Sequence, residues 1–161
     1  MATMTAPFKA KLSKVSDREL RVERIFNAPR DRVWKAMTDP ALLAQWWGRG
    51  NKLVVEKFEP KKGGHWRFVE HSDHGEHGFE GRFAEVVPPT KIVQTFEWDG
   101  MPGHSSLETM ELEDLGDGRT RLKVHSIFML AADLEGMMSS GMETGMNASY
   151  DALERVLESI G

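Results

Sequence analysis

The chain has 161 residues, with 21 Lys and Arg against 25 Asp and Glu, six His and no Cys. That length suits one domain burying roughly 70% of the surface its unfolded form exposes, and 40% hydrophobic with 29% charged residues excludes a largely disordered chain. A net charge of −4 argues against broad binding to nucleic acid or an anionic membrane, no apolar run reaches the ~20 residues of a spanning helix, and zero Cys removes disulfides, thiolate nucleophiles and Cys-held metal centres.

Residues 1–17 show no period and read as a flexible N-terminal arm, with no secretory-type apolar stretch. Residues 18–161 read as a single domain. Residues 19–26 alternate, with Leu20, Val22 and Phe26 against Arg21, Glu23 and Arg24 and with Ile25 disturbing the pattern, which predicts a strand. A helix follows, with Pro29 in its first turn, Asn27 or Ala28 as cap, and Val33, Trp34 and Met37 as its apolar stripe. Thr38-Asp39-Pro40 breaks it and caps a second short helix over 41–47, closed by Gly48 and Gly50. From residue 53 the period changes to two. Strands are predicted over 53–59, 65–71, 76–87, 91–98, 105–115 and 119–129, the last two joined by the hairpin signal Gly116-Asp117-Gly118. From Ala131 the period returns to 3.6, and Leu134, Met138, Met142, Gly145, Ser149, Leu153, Val156 and Ile160 share one stripe of a single long C-terminal helix.

This order, β-α-α-β6-α, implies an α+β architecture. A run of antiparallel strands must cover its apolar face, and the C-terminal helix is the one large element left to do so. That helix carries Gly141 and Gly145 on its buried stripe. Each internal Gly costs roughly 0.5–1 kcal/mol relative to Ala, so a close backbone approach or a ligand cavity is expected to offset it.

Several stretches carry a family resemblance. They are Phe26-Asn27-Ala28-Pro29-Arg30-Asp31-Arg32-Val33-Trp34, Thr38-Asp39-Pro40, Gln45-Trp46-Trp47-Gly48, Val87-Pro88-Pro89-Thr90-Lys91-Ile92-Val93 and Gly141-Met142-Glu143-Thr144-Gly145-Met146. In their order and spacing they resemble the START-like (SRPBCC, helix-grip) superfamily, in the branch of the Hsp-90 ATPase activator C-terminal domain. Arg49 stands after Gly48 where relatives often have Pro. The resemblance implies a curved antiparallel sheet wrapped around a long C-terminal helix, with a mostly apolar cavity between them. Relatives bind lipids, polyketides or other hydrophobic small molecules, and a minority catalyse cyclisation or hydration. The branch takes its name from a co-chaperone, but fold does not fix function.

Trp47, Trp66, Phe68, Phe79, Phe83, Phe96 and Trp98, with Met138, Met142 and Met146, form the expected cavity lining, a packed core being the alternative. Gly145 is expected to border the site, and Gln94 to orient a ligand. Glu70, Glu80, Glu97 and Glu108 lie on strands, and any that points inward needs a partner. Glu70 shares a face with Trp66 and Phe68, so it is the candidate general acid or base, unless it sits in water or pairs with Arg67 or Arg82. His71, His74 and His77 with Asp73 and Glu76 crowd a hairpin tip, but their spacing fits a solvated turn better than a metal site. No metal and no cofactor is expected. No nucleophile elbow or phosphate loop is present in the sequence.

Three functions follow. The first is a cytoplasmic module that binds or sequesters a hydrophobic small molecule. The second is a cyclase- or hydrolase-like enzyme using a cavity carboxylate. The third is a chaperone-linked interaction domain. Nucleic acid and membrane insertion are excluded as partners by charge and hydropathy, and a homodimer is the commonest assembly for a chain of unknown oligomeric state.

Overall fold

The structure, a computed structural model, describes residues 8–161. In chain order its elements are β1 (Lys11–Lys14), β2 (Glu19–Phe26), α1 (Arg30–Thr38), α2 (Pro40–Trp46), β3 (Lys52–Phe58), β4 (His65–Ser72), β5 (Gly75–Val87), β6 (Lys91–Trp98), β7 (Ser105–Gly116), β8 (Arg119–Phe128), α3 (Ala131–Ser139) and α4 (Met142–Ile160). The strands form one eight-stranded sheet in the order β1-β2-β8-β7-β6-β5-β4-β3, antiparallel at every pair. The sheet is curved and unclosed, as the α+β helix-grip expectation requires. The α1–α2 pair carries the chain from β2, near one edge, to β3 at the other.

The period-two pattern decides which face is inside. On β2, Leu20, Val22, Arg24 and Phe26 are buried, and on β8, Thr120, Leu122, Val124, Ser126 and Phe128 are buried. In α1, Val33, Ala36 and Met37 turn inward. The indole of Trp46 in α2 donates to the Ala36 carbonyl at 2.9 Å, which locks the two short helices together. Asp39 caps α2 by accepting from the Ala41 N–H at 2.9 Å, as its position before Pro40 leads one to expect. Helix α1 has no side-chain cap. Pro29, not Asn27 or Ala28, occupies the cap position, and the Asn27 N–H bonds instead to Glu154 at 3.2 Å.

Two expectations are corrected. Lys11–Lys14, placed in the arm by sequence, pair with β2 as an edge strand, and Ala10 is buried with its N–H bonded to Asn147 at 2.9 Å. The remainder of the expected arm, residues 1–7, lies outside the described residues. The single C-terminal helix is two helices. Ser140 closes α3 through bonds from its N–H and Oγ to the Met137 carbonyl, and Gly141 sits at φ +83° as the N-cap of α4. That left-handed conformation costs Gly nothing and other residues about 1 kcal/mol or more. The break shifts the phase of the apolar stripe, so Met142 and Met146 pack against the core while Met138 stands 42% exposed.

Helix α4 is fixed to the sheet by charge as well as by Leu153 and Leu157, both fully buried. The Arg24 guanidinium, inaccessible to solvent, meets Glu154 and Asp151 of α4 at 3.2 Å each, donates to the Ile25 carbonyl, and lies 4.6 Å from the Phe26 ring centre. Among the described residues, no helix is long and apolar enough to cross a membrane.

Candidate functional site

Between the concave face of the sheet and α4 lies a cavity of about 290 Å³. It exists because sheet and helix diverge there and because aromatic rings line the sheet side without filling the gap. Trp47, at the end of α2, meets Phe68 and Phe79 edge-on at 5.1 and 5.2 Å between ring centres. Trp66 lies 4.9 Å from Phe68 and 5.9 Å from Phe96, and Phe83 lies 5.7 Å from Phe58. The Trp66 indole N–H is spent on the Thr95 carbonyl at 3.2 Å, so this wall presents apolar ring surface to the cavity. Helix α4 contributes Met142, Gly145, Met146, Ser149 and Tyr150 from the other side.

Two carboxyl groups line this space, and their settings differ. Glu70 on β4 is 1% exposed. Arg49 Nη2 donates to both of its oxygens at 2.9 Å, and Asn51 donates a short hydrogen bond to the same group. Its charge is therefore neutralised. Arg49 is 48% exposed, so the pair runs from solvent to the cavity wall and forms one side of the mouth. The loop that carries Arg49 is itself held down. Arg49 has φ +58°, its N–H bonds to Ser149 Oγ at 2.9 Å, and its side-chain stem crosses α4 at Gly145, where an added Cβ would fall 2.5 Å from Arg49 Cδ. The close approach expected at Gly145 is thus present, with Arg49 as its partner.

Glu108 is the second carboxyl. It sits in mid-sheet on β7, between Gln94 of β6 and Ser126 of β8 in the strand register. Gln94 Nε2 donates to Glu108 Oε1 at 3.1 Å. No cationic side chain among the described residues forms an ion pair with it. Burial away from bulk water pushes the carboxyl up to about 7, against the opposing pull of the Gln94 hydrogen bond. Tyr150 faces the same space. Burial raises its phenol above the ordinary range, the Glu108 charge adds to this, and Arg24 opposes it. Its ring stands edge-on to Phe26 at 5.7 Å.

Of the residues expected at the site from sequence, Trp47, Trp66, Phe68, Phe79, Phe83, Gln94, Phe96, Met142, Gly145 and Met146 are brought together around the cavity, as is Glu70. Trp98 and Met138 are not. Trp98 ends β6, where Gly100 lets the ring fold back over the turn and lie 6.2 Å from His77, 37% exposed. Met138 precedes the helix break. Glu70 pairs with neither Arg67 nor Arg82. Arg67 binds Asp99 at 2.8 Å and Glu56 at 3.0 Å on the opposite face. At the hairpin tip His71 meets Glu76 at 3.4 Å, and no three His, Asp or Glu side chains group as metal ligands among the described residues. Sequence reasoning missed Arg49 and Tyr150 as site residues, and gave Glu108 no more weight than the strand carboxylates Glu80 and Glu97. The alternation Ser106, Glu108, Met110, Leu112 was the signal that could have set Glu108 apart.

A curved antiparallel sheet gripping a C-terminal helix over a lined cavity is the START-like architecture. Residues 27–158 match the family described as Activator of Hsp90 ATPase homolog 1-like protein, and the chain belongs to that family. A crystal structure of a Rhodobacter sphaeroides protein is similar over 95% of this chain and 100% of its own, with 28% identity and a TM-score of 0.86. An Arthrobacter aurescens protein solved by NMR is similar over 92% of this chain and 91% of its own, with 24% identity and a TM-score of 0.83. DynU16, a protein of the dynemicin biosynthetic locus, is similar over 89% of this chain and 48% of its own, with 23% identity and a TM-score of 0.65. No curated protein matches.

Proposed function

We propose that the chain binds a hydrophobic small molecule in the cavity between the sheet and α4. The observation that carries this is a cavity of about 290 Å³ walled largely by Trp, Phe and Met side chains and left unfilled by them. The volume lies near the lower end of small-molecule sites. Each 100 Å² of apolar ligand surface removed from water contributes about 2.5 kcal/mol, so desolvation supplies most of the affinity. The small molecule is the partner in this reading, which invokes no nucleic acid, metal or cofactor. The test is a fluorescence titration with the neutral probe N-phenyl-1-naphthylamine. We expect saturable one-to-one uptake by the wild type and its loss in Met146→Trp, which fills the cavity from α4. Equal enhancement by both proteins would place the probe on the surface and overturn the proposal.

A second reading, proton transfer within the same cavity, is favoured by one observation. Glu108 is a carboxyl held near neutrality beside Tyr150, the setting of a general acid or base. Glu70 suits this role less, because Arg49 and Asn51 occupy its oxygens. Deuterium exchange into the α-carbon of benzoylacetone tests it. Acceleration that disappears in Glu108→Gln supports catalysis, and exchange at the uncatalysed rate excludes it for that substrate type.

A further inference from the structure

We infer that the cavity selects amines, namely molecules with an apolar or aromatic body and one protonated nitrogen that pairs with Glu108. This rests on the cavity-binding reading above and adds the chemical class of ligand. The first reason is the charge inventory of the lining. Among the described residues, Arg49 is the one cationic side chain on the cavity, and Glu70 holds it with two bonds of 2.9 Å. Glu108 has no such partner among the described residues, only the neutral Gln94 amide. Gln94 Nε2 bonds to one Glu108 oxygen, Oε1. A half-buried carboxyl facing a largely apolar cavity without a counter-ion is costly, and a ligand ammonium supplies the missing charge and donors together.

The second reason is the wall around it. Phe96 is the next residue on the same face of β6 after Gln94, about 7 Å along the strand. Phe96 stacks with Phe79 at 5.6 Å and Trp66 at 5.9 Å, so the polar spot opens onto ring faces. Ring faces attract a cation and accept an aromatic body equally well. On the helix side, Tyr150 lines the same cavity and adds a further aromatic ring. An anionic ligand finds the opposite situation. A fatty acid or other carboxylate brought to this spot would meet Glu108 with its own charge, and the Arg49 guanidinium is already engaged.

Three isosteric probes separate the possibilities: 2-(2-naphthyl)ethylamine, 2-(2-naphthyl)ethanol and 2-naphthylacetic acid, titrated at pH 7 by tryptophan fluorescence and calorimetry. We expect the amine to bind at least tenfold tighter than the alcohol, and the acid to bind weakest. In Glu108→Gln the amine-to-alcohol ratio is expected to collapse towards one. The wild-type ranking stands as a test by itself if that variant folds poorly, and Glu108→Met offers a second neutral replacement. Alcohol binding as tight as amine binding, or tightest binding of the acid, overturns the amine inference while leaving the cavity-binding proposal intact. Binding of none of the three overturns both.

Discussion

Replacing Glu108 by Gln keeps shape and hydrogen bonding but removes the charge, so it isolates the consequence of holding a carboxyl away from water. In the folded chain this group ionises near pH 7, against an ordinary value of 4.5. Between those two values the folded chain keeps a proton that the unfolded chain has released. Rising pH therefore favours unfolding across that interval, and below pH 4.5 the group has no effect. A gap from 4.5 to about 7, at about 1.4 kcal/mol per unit, gives at most about 3 kcal/mol. For a chain of this length each kcal/mol moves Tm by roughly 2–4 °C, so the whole effect is roughly 6–12 °C. The assay is thermal unfolding of wild type and Glu108→Gln from pH 4.5 to 8. Tyr150 of α4, whose phenol feels the Glu108 charge, is common to both proteins and ionises above this pH range. We expect the variant to gain on the wild type progressively through pH 5–7.5 and then level off. A Tm difference that stays constant across this range would refute the reasoning, because it would mean Glu108 titrates alike in both states.

Arg49→Met leaves Glu70 buried with Asn51 alone. Because Arg49 is half exposed, the expected cost is about 1–2 kcal/mol rather than the 3–5 of a fully buried pair. A double-mutant cycle with Glu70→Gln checks it, and zero coupling would show that the pair contributes nothing. Gly145→Leu drives a side chain into the Arg49 stem at the cavity mouth, so probe uptake should fall with a native far-UV spectrum. Unaltered uptake would mean that α4 does not border the binding space at this position. Arg24→Met strands Glu154, which is 4% exposed, and should cost about 3–5 kcal/mol in denaturant unfolding. A loss below about 1 kcal/mol would show that α4 is held by apolar packing alone.

Strand and helix boundaries were legible because burial follows a local period. Leu20, Val22 and Phe26 recur closely enough that β2 matches its predicted span, although Arg24, read against them, is buried on their own face beside its α4 carboxylates, and Gly116-Asp117-Gly118 places the β7–β8 turn. The helix break at Gly141 was less legible. The apolar stripe runs through it without a visible gap, and a Gly in a helical pattern signals equally a cap, a close approach or a cavity. Gly141 turned out to be the first of these and Gly145 the second. For the lining, alternation on β4, β5 and β6 named most of the aromatic wall, since one face of each strand had to be inside. The polar groups were harder. Whether a strand carboxylate is neutralised depends on a partner far along the chain, such as Arg49, 21 positions before Glu70. Glu108 differs from Glu70 by having no such partner among the described residues, and no local pattern records that difference.

The most direct test of a ligand held between sheet and α4 is methyl NMR of the methionines during titration with N-phenyl-1-naphthylamine. Met37, Met110, Met142 and Met146 line the cavity, whereas Met101, Met129 and Met138 are exposed elsewhere on the molecule. Binding in the cavity requires the first four methyl signals to shift together and saturate while the other three stay in place. Shifts confined to Met101, Met129 or Met138, with the cavity methyls unmoved, would contradict it.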